Sequence, residues 1–215
     1  SDEIVALNGS GRAPKALDAA ALRAAGHGTV PLYDPAAVTI PGAIDAFCTL
    51  SKDYGKVGLK ATLAPAIHYA EAGIPVAPRV AFDWAEATDA LSGTARDLFL
   101  MDSAAPQTGQ MFRAPGQADV LRRIAMDGRA AFYEGEVAED MVAALQARGG
   151  VHTLEDFADT QCTYTDPISG TYKGVELVEH PPNGQVATAI LMNNILSQFD
   201  IVGMEPFGTL RTHIE

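Results

Sequence analysis

Two strand-like segments, one near each end of the chain, constrain the fold more than any other feature of the sequence. Residues 4–7 form a short apolar run that contains β-branched side chains, and residues 172–179 alternate in polarity. Between these segments the sequence is patterned mainly as helix. Two isolated strands cannot form a stable sheet, because their edges stay unpaired. The sheets are therefore expected to be completed by strands outside these 215 residues.

Glycine and proline divide the middle of the sequence into a series of predicted helices. Pro14 suits the first position of a helix, where its missing N–H is not needed, and Gly26 suits the helix stop. Pro65 is expected to interrupt or restart a helix, and Gly93 separates two short ones. The predicted helical ranges are 14–25, 42–54, 59–72, 79–91, 94–100, 117–132, 136–148 and 186–199.

Three short stretches carry local signals that go beyond periodicity. Thr153 is followed three residues later by Asp156, a pattern typical of a capping box at the start of a helix. Residues 102–116 are rich in proline, glycine and serine and predict a loop. Residues 181–184 read Pro-Pro-Asn-Gly, which predicts a sharp turn into the last helix with Asn183 as its cap.

The acidic composition argues against several kinds of partner. The formal net charge is -12 and the isoelectric point is about 4.7. Nucleic acids and anionic membranes are bound through a basic face, so neither is expected as a partner. No apolar run is long enough to span a bilayer. Small molecules and other proteins remain as partners.

Cysteines and histidines show no metal-binding pattern. Cys48 and Cys162 lie far apart without a paired-cysteine motif, and we expect them to be free thiols. The five histidines are not paired at the spacing that zinc ligands use. We predict no metal site.

A series of sequence blocks connects this chain with a known family. The blocks are Leu7-Asn8-Gly9-Ser10-Gly11-Arg12-Ala13-Pro14, Ile40-Pro41-Gly42-Ala43, Tyr54-Gly55-Lys56, Leu63-Ala64-Pro65-Ala66-Ile67, Glu71-Ala72-Gly73-Ile74-Pro75-Val76, Leu121-Arg122-Arg123-Ile124-Ala125, Phe132-Tyr133-Glu134-Gly135, Gly149-Gly150, Thr153-Leu154-Glu155-Asp156, Pro181-Pro182-Asn183-Gly184-Gln185 and Asn194-Ile195-Leu196-Ser197-Gln198-Phe199-Asp200. Each block alone is weak, but their order and spacing together are specific. Over nearly its whole length the chain resembles the large subunit of γ-glutamyltranspeptidases.

This resemblance implies a fold and a reaction. The fold is α+β, a four-layer αββα N-terminal-nucleophile hydrolase sandwich to which this segment contributes mostly helices and few strands. Family members are precursors that cut themselves and free a threonine whose own α-amino group acts as the base for its hydroxyl. The threonine takes up the acyl group, water or an amine then receives it, and backbone N–H groups stabilise the oxyanion. No metal or organic cofactor is needed.

The resemblance also implies how the chain fits into its parent protein. Residues 1–215 are expected to be one internal segment of the large subunit, without separate domains. The expected partner is the catalytic small subunit from the same precursor. The expected substrate is a small-molecule amide, such as glutathione or another γ-glutamyl amide. A periplasmic or secreted location is expected if the protein is typical of the family, and a cytoplasmic one otherwise.

No threonine of this chain matches the family's nucleophile, which precedes a threonine or serine and then a histidine. Thr212-His213 is the nearest match, but it falls where the family's large subunit continues as a helix, so we reject Thr212 as the nucleophile. The nucleophile is expected in the small subunit, and we name no catalytic residue in this chain. The alternative is a non-catalytic binding or assembly module, if the parent protein lacks such a threonine.

Ser10 and Arg12 are the candidate substrate-binding residues. Aligned on Ala13-Pro14, Ser10 stands where the family has the arginine that grips the substrate α-carboxylate, and Arg12 falls two residues later. A serine cannot form the bidentate, charge-assisted pair of a guanidinium. Three interpretations stay open: Arg12 reaches in, Ser10 makes a weaker contact, or the enzyme acts on a different amide, such as a small carboxamide or an acylated β-lactam.

Overall fold

A computed structural model describes residues 3–201 and 203–204 of the chain. Within these residues there are ten α-helices and six short strands. The helices are α1 (Ala19–Ala24), α2 (Ala43–Asp53), α3 (Gly58–Ala72), α4 (Pro78–Ala87), α5 (Thr94–Phe99), α6 (Pro115–Asp127), α7 (Ala130–Tyr133), α8 (Gly135–Gln146), α9 (Leu154–Ala158) and α10 (Val186–Leu196). The strands are β1 (Ala6–Asn8), β2 (Ile74–Pro75), β3 (Met111–Phe112), β4 (Thr163–Thr165), β5 (Ile168–Tyr172) and β6 (Val175–Glu179). The predicted composition, mostly helical with few strands, is confirmed.

The chain divides into two compact packing units. The first consists of the described parts of Ser1–Arg12, Thr39–Ala46 and Thr160–Glu215. The second consists of Ala13–Val38 and Phe47–Asp159. Two packing units do not by themselves define independently folding domains. The expectation of one segment without separate domains therefore stays a prediction.

The first unit is built on two antiparallel strand pairs. β1 pairs with β4, so that Ala6 lies opposite Thr165 and Asn8 lies opposite Thr163. β5 pairs with β6 in a hairpin, and α10 packs on β5. The helix approaches closely because position 170 is glycine: a Cβ on Gly170 would lie 2.7 Å from Cγ2 of Ile190. The strand β1 ends at the loop that carries Ser10.

The hairpin β5-β6 corrects the prediction of a single strand over residues 172–179. Lys173 and Gly174 have φ angles of 48° and 81° and turn the chain between the two strands. Positive φ at both central residues is the geometry of a two-residue hairpin turn, because its twist matches that of the flanking strands. The glycine at position 174 was the available signal for this turn.

The core of the second unit lies among α6, α7, α8 and α9. Tyr133 and Phe157 have no exposed surface, and α3 packs along α6. Smaller apolar side chains complete the core: Ala118, Ile124, Ala138 and Val142. This unit thus buries large aromatic side chains with residues of its own.

A capping box begins α9, as the sequence predicted. The backbone N–H of Thr153 donates to Asp156 Oδ2 at 2.9 Å, and the N–H of Asp156 donates to Thr153 Oγ1 at 3.2 Å. The N–H of Lys15 donates to Asp156 Oδ1 at 3.0 Å. Burial raises the pKa of Asp156, but these hydrogen bonds outweigh burial and the pKa lies below its ordinary value. Hydrogen bonds to Asp159 and Glu155 raise the pKa of Lys15.

Three predictions of helices differ from the observed structure. The helix predicted to start at Pro14 begins at Ala19, because Asp18 caps it by accepting from the N–H of Ala20. The helix predicted over 117–132 is broken at Gly128, whose φ of 68° is a left-handed conformation. By contrast, α3 runs through Pro65 without interruption. Proline removes one backbone hydrogen bond, and an exposed helix face leaves the freed carbonyl to water. The prediction of a restart at Pro65 was wrong.

Candidate substrate-binding site

The loop after β1 is held by direct backbone contact with residues 39–42. A Cβ on Gly11 would overlap the carbonyl oxygen of Ile40, and a Cβ on Gly42 would overlap that of Gly9. The N–H of Ile40 donates to the carbonyl of Arg12 at 2.9 Å. Such close approach requires glycine, because any side chain would displace the backbone. The position of this loop is therefore set by main chain rather than by side chains.

A buried carboxylate supports the same region. Asp45, in the first turn of α2, is 5% exposed, and its Oδ2 accepts from the backbone N–H of Cys162 at 2.6 Å. Cys162 immediately precedes β4, the partner of β1. Asp45 thus ties the chain entering β4 to the start of α2. Sequence reasoning missed this contact, for which the only signal was an acidic residue in the first turn of a helix.

Asn8, Ser10 and Asn183 come together in the first unit and form what we call the neutral cluster. The Oδ1 of Asn8 accepts from the backbone N–H of Ser10 at 2.9 Å. Asn8 Nδ2 donates to Asn183 Oδ1 at 3.3 Å, and Ser10 Oγ donates to the same oxygen at 3.4 Å. Ser10 and Asn183 are exposed and Asn8 is partly buried. The structure therefore joins the Ser10 loop to the Pro-Pro-Asn-Gly loop through uncharged groups.

Arg12, the other candidate, takes no part in this cluster. Its side chain is exposed, and within residues 3–201 no hydrogen bond or ion pair involves its guanidinium. Its backbone carbonyl is the acceptor from Ile40. The substrate-binding roles of Ser10 and Arg12 stay predictions. Of these two residues, Ser10 is the one whose side chain contacts the Pro-Pro-Asn-Gly loop.

Asn183 was predicted to cap the last helix, and this prediction is wrong. The N-cap of α10 is Gln185, and no side chain caps that end of the helix. The Asn183 side chain instead reaches Asn8 and Ser10, which lie 175 and 173 residues away in the sequence. Local turn chemistry cannot reveal partners at such separation. The available signal was the position of Asn183 in one of the family-like blocks.

His180 holds the start of the loop that carries Asn183. Its Nδ1 lies 2.7 Å from the carbonyl oxygen of Pro181, so Nδ1 is the donor because a carbonyl can only accept. In the neutral ring Nε2 is then an acceptor, and Thr165 Oγ1 lies 3.5 Å from it. Thr165 belongs to β4, so His180 links this strand to the loop. Sequence reasoning did not single out His180.

Other expected features concern metals, membranes and the rejected nucleophile. Among residues 3–201 and 203–204, no group of histidine, cysteine, aspartate or glutamate side chains could hold a metal ion. In the same residues, no helix combines the length and the apolar character that crossing a membrane requires. Thr212-His213, which the sequence analysis rejected as the nucleophile, lies outside the described residues.

Comparisons with known proteins agree with the fold and with the sequence blocks. A model of the family described as gamma-glutamyltranspeptidase matches residues 1–214. The glutathione hydrolase-like YwrD proenzyme of Bacillus subtilis (strain 168) is 34% identical over 92% of this chain and 38% of its own length. The structure of cephalosporin acylase from Bacillus halodurans matches with a TM-score of 0.86 and 38% identity, over 98% of this chain and 40% of that one.

A third match is the gamma-glutamyltranspeptidase of Helicobacter pylori, with a TM-score of 0.87 and 27% identity, over 98% of this chain and 62% of that one. The fold is therefore that of the α+β N-terminal-nucleophile hydrolases, which confirms the predicted fold class. The chain belongs to the gamma-glutamyltranspeptidase family. It spans less than two thirds of each of these three proteins.

Proposed function

We propose that this chain is the large-subunit portion of a self-processing γ-glutamyltranspeptidase-like amidohydrolase or acyl transferase. Residues 1–215 form one internal segment of that subunit. The partner is the catalytic small subunit from the same precursor, which carries the nucleophilic threonine. The substrate is a small-molecule amide, whose acyl group passes to the threonine and then to water or to an amine.

The exposed apolar surface of α10 is the observation that supports a small-subunit partner. Its sequence, VATAILMNNIL, is apolar on most sides. Leu191, Met192 and Ile195 are nevertheless 60%, 52% and 53% exposed. A helix that is hydrophobic all round is normally buried on all sides. A further layer of the same protein, packed on α10, accounts for this sequence.

The extent of the family match supports the same assignment. The match begins at residue 1 and ends at residue 214. Yet the chain accounts for 38% of the length of a relative whose name is that of a proenzyme. We therefore assign self-processing and the nucleophile to the remainder of the protein, and assign substrate contact within this chain to Ser10 and Arg12.

A second candidate function keeps the chemistry and changes the acyl group. The neutral cluster offers no cation to a substrate carboxylate, and a carboxylate is bound most strongly by a guanidinium. The Bacillus halodurans cephalosporin acylase is 38% identical to this chain, whereas the Helicobacter pylori gamma-glutamyltranspeptidase is 27% identical. The neutral cluster favours an amide other than a γ-glutamyl one, while relatives named as a glutathione hydrolase-like proenzyme and as an acylase proenzyme are similarly identical to this chain, at 34% and 32%.

Intact mass spectrometry of the purified full-length parent protein tests the proposal. Two fragments are expected, and the second should begin with threonine. The matched control replaces that threonine with alanine and should leave the precursor uncut. A single uncut chain in the unchanged protein would contradict self-processing and favour the non-catalytic module. Turnover of γ-glutamyl p-nitroanilide, compared with other acyl anilides, separates the two candidate substrates.

A further inference from the structure

His152 is almost completely buried, yet one of its two ring nitrogens has no partner. The residue is 1% exposed. Its Nε2 lies 2.8 Å from the carbonyl oxygen of Val38, and because a carbonyl can only accept, Nε2 carries a proton and donates. In the neutral ring Nδ1 is then an acceptor, and among the described residues it has no hydrogen-bond partner. A buried acceptor without a donor lowers the stability of the fold.

This loss of stability means that packing alone does not account for a histidine at position 152. An apolar side chain of similar size would fill the same space without an unpaired acceptor. What the imidazole adds is the hydrogen bond from Nε2 to the carbonyl of Val38. The two residues are 114 positions apart, so this contact is not a by-product of a local turn. The contribution of His152 therefore lies at Val38.

The backbone of His152 is held on both sides. Its carbonyl oxygen accepts from Nε2 of Gln146, the last residue of α8, at 2.8 Å. The capping box of α9 begins at the next residue, Thr153. The imidazole therefore projects from a well-supported piece of main chain and can act as an anchor for Val38.

The segment around Val38 is otherwise exposed. The Val38 side chain is 40% exposed, and residues 36, 37 and 39 are not buried either. The N–H of Val38 donates to the carbonyl of Pro35 at 3.0 Å, a contact within the same turn of the chain. The hydrogen bond from His152 is thus the contact that ties the Val38 carbonyl to a buried group.

Val38 leads directly into the segment that positions the candidate substrate-binding loop. The peptide unit is planar, so holding the Val38 carbonyl also orients the N–H of Thr39. At the next residue, the N–H of Ile40 donates to the carbonyl of Arg12 at 2.9 Å, and the Ile40 carbonyl leaves no room for a Cβ on Gly11. A shift at Val38 is therefore transmitted through two peptide units to the loop that carries Arg12.

We infer that His152 is a positioning residue for substrate binding, which acts through Val38 and Ile40 on the loop that carries Ser10 and Arg12. This inference rests on the proposed function, in which Ser10 and Arg12 contact the substrate. His152 itself does not touch the substrate. Loss of its hydrogen bond to Val38 should therefore weaken substrate binding and leave the chemical step unchanged.

Two substitutions at His152 separate the hydrogen bond from the space that the ring fills. His152→Gln places an amide N–H near the position of Nε2 and keeps a donor, whereas His152→Leu fills space and cannot donate. The assay uses the full-length parent protein with γ-glutamyl p-nitroanilide. His152→Leu should raise KM about five- to tenfold at nearly unchanged kcat, as expected when one hydrogen bond that supports binding is lost. His152→Gln should keep KM within about twofold of the unchanged protein.

An equal rise of KM in both variants, or no rise in His152→Leu, would overturn the inference. If the leucine variant does not fold, His152→Asn takes its place, because its amide is one methylene shorter than that of glutamine and does not reach Val38.

The separate measurement of KM and kcat distinguishes positioning from a general loss of stability. A smaller folded fraction lowers the apparent kcat but leaves KM unchanged, because the molecules that remain folded bind as before. Val142→Ala is the matched control: Val142 is 6% exposed on α8, and its truncation lowers stability without removing the hydrogen bond to Val38. If Val142→Ala raises KM as much as His152→Leu does, the inference fails.

Failure of the proposed function has a separate signature. If the parent protein does not cleave the anilide, hydrogen exchange is measured at the amide of Ile40, which donates to Arg12. This amide should exchange about five- to tenfold faster in His152→Leu than in His152→Gln. The amide of Ile124, buried in α6, should exchange equally in both. That result supports positioning of the loop without catalysis, and equal exchange at Ile40 overturns it.

Discussion

The two packing units differ in what their apolar side chains contact. In the second unit, Tyr133 and Phe157 are completely buried among α6–α9. In the first, the sequence of α10 is predominantly apolar, yet Leu191 and Met192 are 60% and 52% exposed. Burial of apolar area is the main source of stability, so the fully buried aromatic side chains of the second unit are its stabilising core. Both units also expose large apolar side chains, such as Met126 of the second unit at 71%.

The two units also hold their key segments by different means. The Ser10 loop is positioned by close backbone contacts at Gly11 and Gly42, and the uncharged side chains of the neutral cluster add hydrogen bonds to it. The start of α9 is positioned by the charged side chains of Asp156 and Lys15. Apart from those at His152, substitutions in the two units should therefore affect different properties, stability in the second and activity in the first.

Removal of a core aromatic side chain should have the largest effect. We expect Phe157→Ala to lower the free energy of unfolding by about 3–5 kcal/mol, because it leaves a cavity that the surrounding side chains fill only partly. Chemical denaturation measures this change. The matched control is Leu154→Ala on the same helix, where the side chain is 45% exposed and the loss should be much smaller. Similar losses for both variants would contradict the assignment of the core.

A methyl group in the Ser10 loop should act on activity instead. Gly11→Ala places a Cβ against the carbonyl oxygen of Ile40, so the loop must move. A displacement of about 1 Å near a reacting group can cost on the order of 100-fold, and we expect a loss of that size in kcat/KM. Gly28→Ala, where a Cβ meets nothing within 4 Å, is the control. Full activity of Gly11→Ala would show that the loop is remote from the substrate.

Asp156→Asn should reduce stability in a way that depends on pH. The pKa of Asp156 lies below its ordinary value, so its charged form stabilises the fold above the unfolded pKa of about 3.9 and ceases to do so as pH falls through the folded pKa. At pH 7 the variant should lose about 1–3 kcal/mol. The difference from the unchanged protein should shrink below about pH 4. A difference independent of pH would assign the effect to packing.

An exposed ion pair should have the smallest effect. Arg79 and Asp83 are one turn apart on α4 and their side chains meet at 2.7 Å, with the Arg79 side chain 80% exposed. We expect Arg79→Ala to change the free energy of unfolding by no more than about 0.5 kcal/mol, since exposed pairs are screened by water. Denaturation in low and high salt checks this. A loss as large as that of Phe157→Ala would remove the distinction between core and surface in this unit.

The sequence predicted what depends on near neighbours. The capping box at Thr153, the joint at Gly93 and the helix stop at Gly26 follow from the conformations that these residues favour, and all three occur. The breaks at Gly128 and at the Lys173-Gly174 turn also had a local signal, a glycine, but several structures are compatible with a glycine inside a periodic segment. Whether such a glycine breaks the helix or strand is decided by packing against the rest of the structure.

The candidate site was predicted only in part, because its contacts join distant positions. Ser10 was named from its place in a family-like block, whereas Asn183 was assigned to a helix cap. Their contact spans 173 residues, and Asp45 meets Cys162 across 117. Hydrophobic periodicity and turn chemistry carry no information at these separations. The family-like blocks did, since they marked both loops.

A crystal structure of the full-length, processed protein, with an acyl group trapped on its catalytic threonine, tests the central claim most directly. The account predicts that the acyl group lies within hydrogen-bond distance of Ser10 Oγ or of the Arg12 guanidinium, and that the partner subunit covers Leu191 and Met192 on α10. An acyl group that contacts neither Ser10 nor Arg12, or an α10 face that stays exposed to solvent in the assembled protein, would contradict it.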